Sequence, residues 1–445
     1  MRRAARPITL AGPLSPSSLG IPVMSAHLPR TTVRRTRALQ SLMIAALALA
    51  ACQDFTAPPS IAPTGSPAAS ATKFWEASSS VAWNTTAREL IALPAPNPAA
   101  SPVAQTRVLT YLSVAQYNAV VRAEDTKARG VHASPSAAAA SASLVVLKTL
   151  NVLGGSAVNF PAAGAMLDAK LAAERAAAVA AGKGEEFAMG EAVGRAVGAE
   201  VVTYASTDNA NLTPPPANPG GAGKWTGTNS IRGLYGARTF ALTSGDQFRP
   251  GPPPAITSQQ FQDAFAQTRA EATSGSQANL DLAMLWASRG SAYLNGVATD
   301  LIVAHHRNER EAARILALAN MATFDATNAC FDAKFAYYLI RPTQYAALLG
   351  PAYAFNTLVP LPNHPSYPSG HSCQTASYAT VLAAEFPDRE TRDYLAQQVD
   401  DAGRSRMVGG LHYLFDCTVG QELGRNVANW VLGMAPVGHE EIPLD

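Results

Sequence analysis

The protein has 445 residues, of which 47% are hydrophobic and 15% charged, a composition typical of one large globular domain or two ordinary ones. Its formal net charge is +2, but residues 1–51 carry seven Arg and no Asp or Glu, so the remainder has a formal charge of −5. A mildly acidic chain lacks the basic surface that nucleic acids require, which argues against nucleic acid as a partner.

Residues 1–51 have the pattern of a targeting segment. A basic stretch at 34–37 precedes an apolar run over 42–51, and Cys52 follows directly. The sequence Leu-Ala-Ala-Cys that ends at Cys52 resembles the cleavage box of bacterial lipoproteins. That resemblance implies a signal segment over 1–51, lipidation of Cys52 and a membrane partner through the lipid. The protein would then face the periplasm or the cell surface as a lipoprotein of the envelope, and Gln53 favours the outer membrane. A plain signal peptide or a short anchor is the alternative, although spanning a bilayer takes roughly 20 apolar residues.

A flexible tether and then a helical domain are predicted next. Residues 52–73 are rich in Pro, Ser, Ala and Thr and carry almost no charge, which is typical of a tether. Helical structure is predicted from Phe74, because apolar residues recur at three- and four-residue steps between Val108 and Val120. Further helices are predicted over 138–150, 163–205, 258–273, 277–304, 308–324, 325–340, 369–386, 390–402 and 417–433.

The predicted fold class is all-α, because alternation typical of strands is rare along the whole chain. A loop over 207–223 and an irregular stretch that ends in three prolines at 252–254 interrupt the helices. We expect one large helical domain over 74–433, with a catalytic part at about 308–433 and a tail at 434–445.

Three short motifs follow one another in this catalytic part, and each alone is weak. A Lys and an Arg seven residues apart would lie on one helix face, where a solvated charged stripe is the ordinary explanation. A Pro-Ser-Gly-His sequence is an ordinary start of a helix, and a His and an Asp four apart are an ordinary helix-face hydrogen bond. The motifs are Lys334 with Arg341-Pro342, then Pro368-Ser369-Gly370-His371, and then Ser405-Arg406 with His412 and Asp416.

Together the motifs supply what a tetrahedral oxyanion needs. Lys334, Arg341 and Arg406 provide an ammonium group and two guanidinium groups. Ser369 and Gly370 lie where a helix is predicted to start, and the amide groups of a helix N-terminus bind anions. The sequence therefore predicts an oxyanion pocket among the C-terminal helices, with two histidines and one aspartate left for chemistry.

The combined arrangement resembles the signature of the superfamily of type 2 phosphatidic acid phosphatases and vanadium-dependent haloperoxidases. By that resemblance, His412 would bind vanadium as vanadate in a peroxidase, or would attack phosphorus in a phosphatase. His371 would be the acid and base, and Asp416 would orient His412. The remaining signature residues would form the oxyanion cradle: Lys334, Arg341, Ser369, Gly370 and Arg406.

Resemblance upstream and downstream of these motifs favours the bacterial haloperoxidase-like branch. It includes Trp83-Asn84, residues 115–119 and residues 420–425, whereas Leu339-Ile340 departs from that branch, where an aromatic residue is frequent. We therefore expect a haloperoxidase that uses vanadate, hydrogen peroxide and halide. The alternatives are a soluble acid phosphatase that hydrolyses phosphate esters without a cofactor, and a non-catalytic oxyanion-binding protein. Relatives in this branch are often homo-oligomers.

Four further side chains have two interpretations each. His364 either lines the mouth of the pocket or belongs to a turn over 363–365. Cys330, Cys373 and Cys417 each lie near a signature residue in the sequence. They either include one disulfide or are small buried residues between packed helices.

Overall fold

The computed structural model describes residues 79–93, 101–153, 161–210, 212–228, 231–436 and 440–444. The predicted signal segment over 1–51, the lipidation of Cys52, the tether over 52–73 and the start of the helical domain at Phe74 lie outside these residues.

The predicted all-α fold is confirmed. Within the described ranges the only β feature is an isolated antiparallel bridge between Lys224 and Leu339, and no helix has both the length and the hydropathy needed to cross a membrane. Thirteen α-helices are described: α1 Ser79–Ile91, α2 Pro102–Asp125, α3 Pro135–Leu153, α4 Pro161–Ala180, α5 Gly184–Ser206, α6 Gln259–Ala272, α7 Gln277–Ala287, α8 Ser291–Ala304, α9 Glu309–Tyr337, α10 Pro342–Leu349, α11 Gly370–Glu385, α12 Arg389–Val408 and α13 Leu414–Gly433.

Helix α9 lies at the centre of the bundle. It packs against α2 from the N-terminal part of the chain and against α11 and α13 from the C-terminal part. Most of its side chains are therefore buried. Thr110 of α2 donates to the carbonyl oxygen of Asn320 at 3.1 Å, and Asn320 donates to Ser113 Oγ at 3.1 Å. These bonds satisfy polar groups within the apolar contact and fix the register of the two helices.

Glycines allow two helix pairs to approach closely. A Cβ atom built on Gly194 of α5 would lie 2.1 Å from the carbonyl oxygen of Ala138 in α3. A Cβ atom built on Gly424 of α13 would lie 2.3 Å from the carbonyl oxygen of Cys373 in α11. Any other residue would push the helices apart at these positions, so the second glycine sets the distance between the two helices whose N-terminal ends carry the chemistry.

Two long predicted helices are each divided. The prediction over 163–205 is wrong at residues 181–183, where Gly182 has a left-handed φ of 73° and ends α4. The prediction over 277–304 is wrong at residues 288–290, between α7 and α8. Apolar periodicity continues across both breaks, which is why it could not locate them.

At α9 the sequence predicts two helices where the structure has one. The two predicted helices over 308–324 and 325–340 are one helix, which ends at Tyr337 because Tyr338 adopts a left-handed φ of 52°. The prediction that Lys334 and Arg341 project from one helix face is therefore wrong. Lys334 lies in the last turn of α9, whereas Arg341 is the N-cap residue of α10.

The ends of five helices meet in one place as a result. They are the C-terminal ends of α9 and α12 and the N-terminal ends of α10, α11 and α13, and a non-helical segment over 354–369 runs between them. Helix α12 continues to Val408, beyond the predicted end at 402, and so carries Arg406 to this place. Residues 440–444 lie against α2, where Ile442 N–H donates to Asn118 Oδ1 at 2.8 Å.

Candidate functional site

Lys334 holds the segment that precedes α11. Its Nζ donates to the carbonyl oxygens of Pro365 at 3.0 Å and Ser366 at 2.7 Å, and also to that of Pro368. The side chain is fully buried, and this burial lowers the pKa of Lys334 to about 8. All three ammonium hydrogens therefore bond the segment 365–368 and hold it against the C-terminal end of α9.

Arg341 is the most extensively bonded cation of the site. Its Nε donates to the carbonyl oxygen of His364 at 3.0 Å and its Nη1 to that of Leu411 at 2.7 Å. Nη2 lies 3.0 Å from His364 Nδ1, and Nη1 lies 3.0 Å from His412 Nε2. Burial lowers the pKa of Arg341 to about 10. His364 is therefore a buried neighbour of this guanidinium group, and it lies in a bend of the chain where its N–H donates to the carbonyl oxygen of Pro362.

Arg406 completes the group of cations but differs from the other two. It is almost fully buried in the last turn of α12, and its Nε and Nη1 atoms have no hydrogen-bond partner among the described residues. Burial lowers its pKa to about 10. We call Lys334, Arg341 and Arg406 the cation cluster. Arg406 is the member whose donors are still available for a ligand.

Ser369 and Gly370 form the N-terminal end of α11, as predicted. Ser369 is the N-cap residue, and its hydroxyl accepts from Ser372 N–H at 3.4 Å. Its own N–H donates to the carbonyl oxygen of Asp416 at 2.9 Å, so this amide is committed to the protein. Gly370 opens the helix, and a Cβ atom built on it would meet no atom within 4 Å apart from its chain neighbours and the backbone of its own helix. Space for a ligand therefore adjoins the first amide of the helix.

His412 and Asp416 form a directed pair. His412 Nδ1 lies 2.9 Å from Asp416 Oδ2, which also accepts from Ser366 Oγ at 2.5 Å and from Tyr413 N–H at 3.3 Å. Because a carboxylate oxygen accepts, Nδ1 carries the proton and the lone pair of Nε2 points towards Arg341. Burial raises the pKa of Asp416 to about 6. Burial, together with the charge of Arg341, lowers the pKa of His412 well below its ordinary value.

His371 is the second residue of α11 and lies half-buried beside the cation cluster. Its ring bonds to the backbone of Trp286 in α7. Burial and the charge of Arg406 lower its pKa well below the ordinary value of a histidine. The imidazole is therefore neutral at neutral pH and can accept a proton.

The electrostatic balance of the site favours an anion. Three cations are buried together with one carboxylate, Asp416, and the pKa of each of His364, His371 and His412 is lowered well below its ordinary value. Buried charges are costly unless they are paired. Two unpartnered nitrogens of Arg406 and the open space at Gly370 therefore fit a small oxyanion.

The structure thus brings all eight signature residues to one place and adds Ser366, which the sequence motifs did not indicate. Ser366 lies two residues before Pro368, in a stretch with no recognisable spacing. Two long-range hydrogen bonds show that it belongs to the site, one from its hydroxyl to Asp416 across 50 residues of chain and one from Lys334 to its carbonyl oxygen.

The three cysteines are free and buried. Cys330 Sγ lies 3.7 Å from the carbonyl oxygen of Pro368. The structure therefore agrees with the interpretation of Cys330, Cys373 and Cys417 as small buried residues and shows no disulfide among them.

Comparison with known proteins gives one family match. A family model described as the VCPO second helical-bundle domain matches residues 314–399. A search of curated protein sequences found no match. The matched segment contains five of the eight signature residues: Lys334, Arg341, Ser369, Gly370 and His371.

Solved structures of bacterial vanadium enzymes share the fold. A bacterial vanadium-dependent iodoperoxidase superposes with a TM-score of 0.65 at 22% identity, over 79% of this chain and 95% of the other. A holo-type bacterial vanadium-dependent chloroperoxidase gives 0.59 at 12% identity, over 81% and 98%. An apo-type chloroperoxidase gives 0.57 at 12% identity, over 75% and 95%. The predicted resemblance to the superfamily is confirmed, and the fold is that of the helical vanadium haloperoxidases.

Proposed function

We propose that the protein is a vanadium-dependent haloperoxidase-like enzyme, which oxidises a halide with hydrogen peroxide at a vanadate held by His412. The observation that carries this proposal is the cation cluster, because it is buried with one carboxylate and Arg406 has two unpartnered nitrogens. An oxyanion would neutralise these charges. The neutral His412 would then be its ligand from the protein, since the Nε2 lone pair faces the cluster.

Each residue has a definable task in this proposal. Arg406, Arg341 and the amide of Gly370 would hold the oxygens of the anion, and Asp416 would keep His412 in the tautomer that exposes Nε2. Vanadate, when bound, would supply the Lewis acidity that activates peroxide. His371 is neutral and can accept the proton that hydrogen peroxide loses on activation. The net reaction consumes peroxide, halide and a proton and yields hypohalous acid and water.

A paired assay tests the proposal. Purified protein with vanadate and hydrogen peroxide should oxidise iodide or bromide, measured as triiodide formation or as bromination of phenol red. It should not hydrolyse p-nitrophenyl phosphate at a comparable rate when vanadate is left out. His305→Ala serves as a matched control, because His305 lies at the exposed end of α8 and should retain full activity.

A phosphohydrolase is the second candidate, and the geometry of His412 favours it as well. A neutral imidazole held by a carboxylate and facing a cation cluster can attack phosphorus, and His371 could protonate the leaving oxygen once a bound anion has raised its pKa. Hydrolysis of p-nitrophenyl phosphate without halide oxidation would replace the first proposal by this one. Tight vanadate binding with neither activity would instead indicate an oxyanion-binding protein.

We further propose that a lipid at Cys52 attaches the protein to the bacterial cell envelope. The Leu-Ala-Ala-Cys sequence supports this proposal. Metabolic labelling with a palmitate analogue should tag the protein, and Cys52→Ser should abolish the tag. Labelling that survives the substitution would contradict the anchor.

A further inference from the structure

We propose that Ser366 is a positioning residue of the site, which joins Asp416 to Lys334 and thereby fixes the orientation of His412. The inference rests on the proposed function, in which His412 is the ligand of the anion. It concerns a residue outside the three signature motifs.

Ser366 makes contacts in three directions. Its hydroxyl donates to Asp416 Oδ2 at 2.5 Å, its carbonyl oxygen accepts from Lys334 Nζ at 2.7 Å, and its N–H donates to the carbonyl oxygen of Leu339 at 3.0 Å. The residue is fully buried. Its position is therefore determined by the end of α9, the start of α10 and the start of α13 together.

The hydroxyl bond decides how the carboxylate faces the histidine. Oδ2 of Asp416 receives all three donors, from Ser366, His412 and Tyr413, while Oδ1 has no partner among the described residues. Two of these donors lie within four residues of Asp416 on the same stretch of chain. Ser366 is the donor from a separate segment, so it alone ties the carboxylate to the part of the site that Lys334 holds.

Loss of the hydroxyl should release the carboxylate. Asp416 could then rotate and present either oxygen. The present bond between its Oδ2 and His412 Nδ1 would no longer be favoured over other arrangements of the two side chains. The proton stays on Nδ1, because Arg341 Nη1 is a donor and lies 3.0 Å from Nε2, but the imidazole would no longer be held in one orientation. Anion binding at His412 should weaken in proportion, because only the orientation that aims the Nε2 lone pair at the anion is competent.

Four variants of purified protein test this inference. Ser366→Ala removes the hydroxyl, and Ser366→Thr retains it. Ser366→Val has the shape of threonine without the hydroxyl, so the Thr and Val pair gives the same comparison if the alanine variant does not fold. Ser377→Ala is the control, because Ser377 is equally buried in α11 and its hydroxyl bonds the carbonyl oxygen of Gln374 and the hydroxyl of Thr323, neither of which belongs to the site.

Two measurements apply to each variant. Proton and nitrogen-15 NMR of labelled histidines, with His412 assigned from the spectrum of His412→Gln, resolves the Nδ1–H proton of His412, whose downfield shift reports its hydrogen bond to Asp416. Calorimetric titration with vanadate reports affinity without any enzymatic turnover. We expect Ser366→Ala and Ser366→Val to lose the downfield shift of this proton and to bind vanadate at least about tenfold more weakly, as expected when one hydrogen bond to a charged group is lost. Ser366→Thr and Ser377→Ala should resemble the wild type.

A wild-type shift of the His412 Nδ1–H proton and a vanadate affinity within twofold of wild type in both Ser366→Ala and Ser366→Val would overturn the inference. Weaker binding in Ser377→Ala as well would assign the effect to general packing and would also overturn it. Failure of the proposed function is distinguishable, because absence of halide oxidation in the wild type leaves the NMR comparison unaffected.

Discussion

Two regions of the molecule bury polar side chains in opposite ways. In the first region, Asn84, Gln116, Ser143 and Asn295 form what we call the amide network, which links α1, α2, α3 and α8. Asn84 donates to Gln116 and Gln116 donates to Ser143, while Asn295 donates to Asn84 and accepts from Arg88, all at 2.8 to 2.9 Å. In the C-terminal half, the cation cluster carries several positive charges and retains unpartnered donors.

The amide network therefore serves stability, whereas the cation cluster serves ligand binding. Every amide of the network has a partner within the protein, so removing one strands its neighbours and costs stability. The cation cluster and the neighbouring Asp416 are not fully hydrogen-bonded in this way. Two nitrogens of Arg406 and one oxygen of Asp416 have no partner within the described residues. The unpartnered donors of Arg406 are therefore available to a ligand, and their burial costs stability until a ligand binds.

The largest expected effect is functional and concerns His412. His412→Ala should reduce halide oxidation by on the order of 10⁴-fold, since it removes the anchoring nitrogen of the site. Its effect on the free energy of unfolding should be smaller than that of any substitution in the amide network. Initial rates and urea denaturation of the same preparations measure both. Retained activity would show that the anion does not depend on this histidine.

Asn84→Ala should show the reverse pattern. It leaves Gln116 and Asn295 with unpaired buried groups, so we expect a loss of about 3 kcal/mol in the free energy of unfolding. Vanadate affinity of the folded protein should not change. Thr85→Ala is the neighbouring control, because Thr85 bonds only Val81 and Arg88 and should cost less than about 1 kcal/mol. Equal losses in both variants would remove the distinction between the two regions.

Ligand binding should stabilise the C-terminal half. Vanadate at about 100 times its dissociation constant should add about 2.7 kcal/mol to the free energy of unfolding. Arg406→Met should lose most of this gain, yet without vanadate it should be at least as stable as the wild type, because it removes a charge that no partner compensates. Scanning calorimetry with and without vanadate provides the comparison. A markedly less stable Arg406→Met without ligand would contradict the interpretation.

The smallest expected effect is a pH dependence from Lys334. Its pKa of about 8 in the folded protein lies below the ordinary 10.5, so its contribution to stability is full above pH 10.5 and is lost as the pH falls through 8. The wild type should therefore gain at most about 2.5 kcal/mol relative to Lys334→Met between pH 8 and pH 10.5. Millimolar phosphate should reduce this gain, because a bound anion favours the charged lysine. Equal pH profiles of the two proteins would contradict the lowered pKa.

Residue types and spacing were sufficient to predict the all-α class and to select eight residues that the structure brings together. Their local setting could not be predicted. The end of α9 depends on the left-handed Tyr338, whose N–H bonds to the carbonyl oxygen of Lys334, and tyrosine has no intrinsic preference for that conformation. Ser366 is an ordinary serine in the sequence, and only its long-range bonds to Asp416 and Lys334 distinguish it.

The contacts and the length of helix α9 determine which fragments of the protein could fold. Its first turn holds Glu309, which accepts from the N–H groups of Ser79 and Ser80 at the start of α1, and its last turn holds Lys334 of the site. The helix has 29 residues and, at 1.5 Å per residue, is about 43 Å long. A fragment that begins at residue 308 would contain every signature residue but would expose the face of α9 that α2 covers. Such a fragment should aggregate rather than bind vanadate, and a minimal catalytic unit would have to include α1 and α2, either in sequence or supplied as a separate chain.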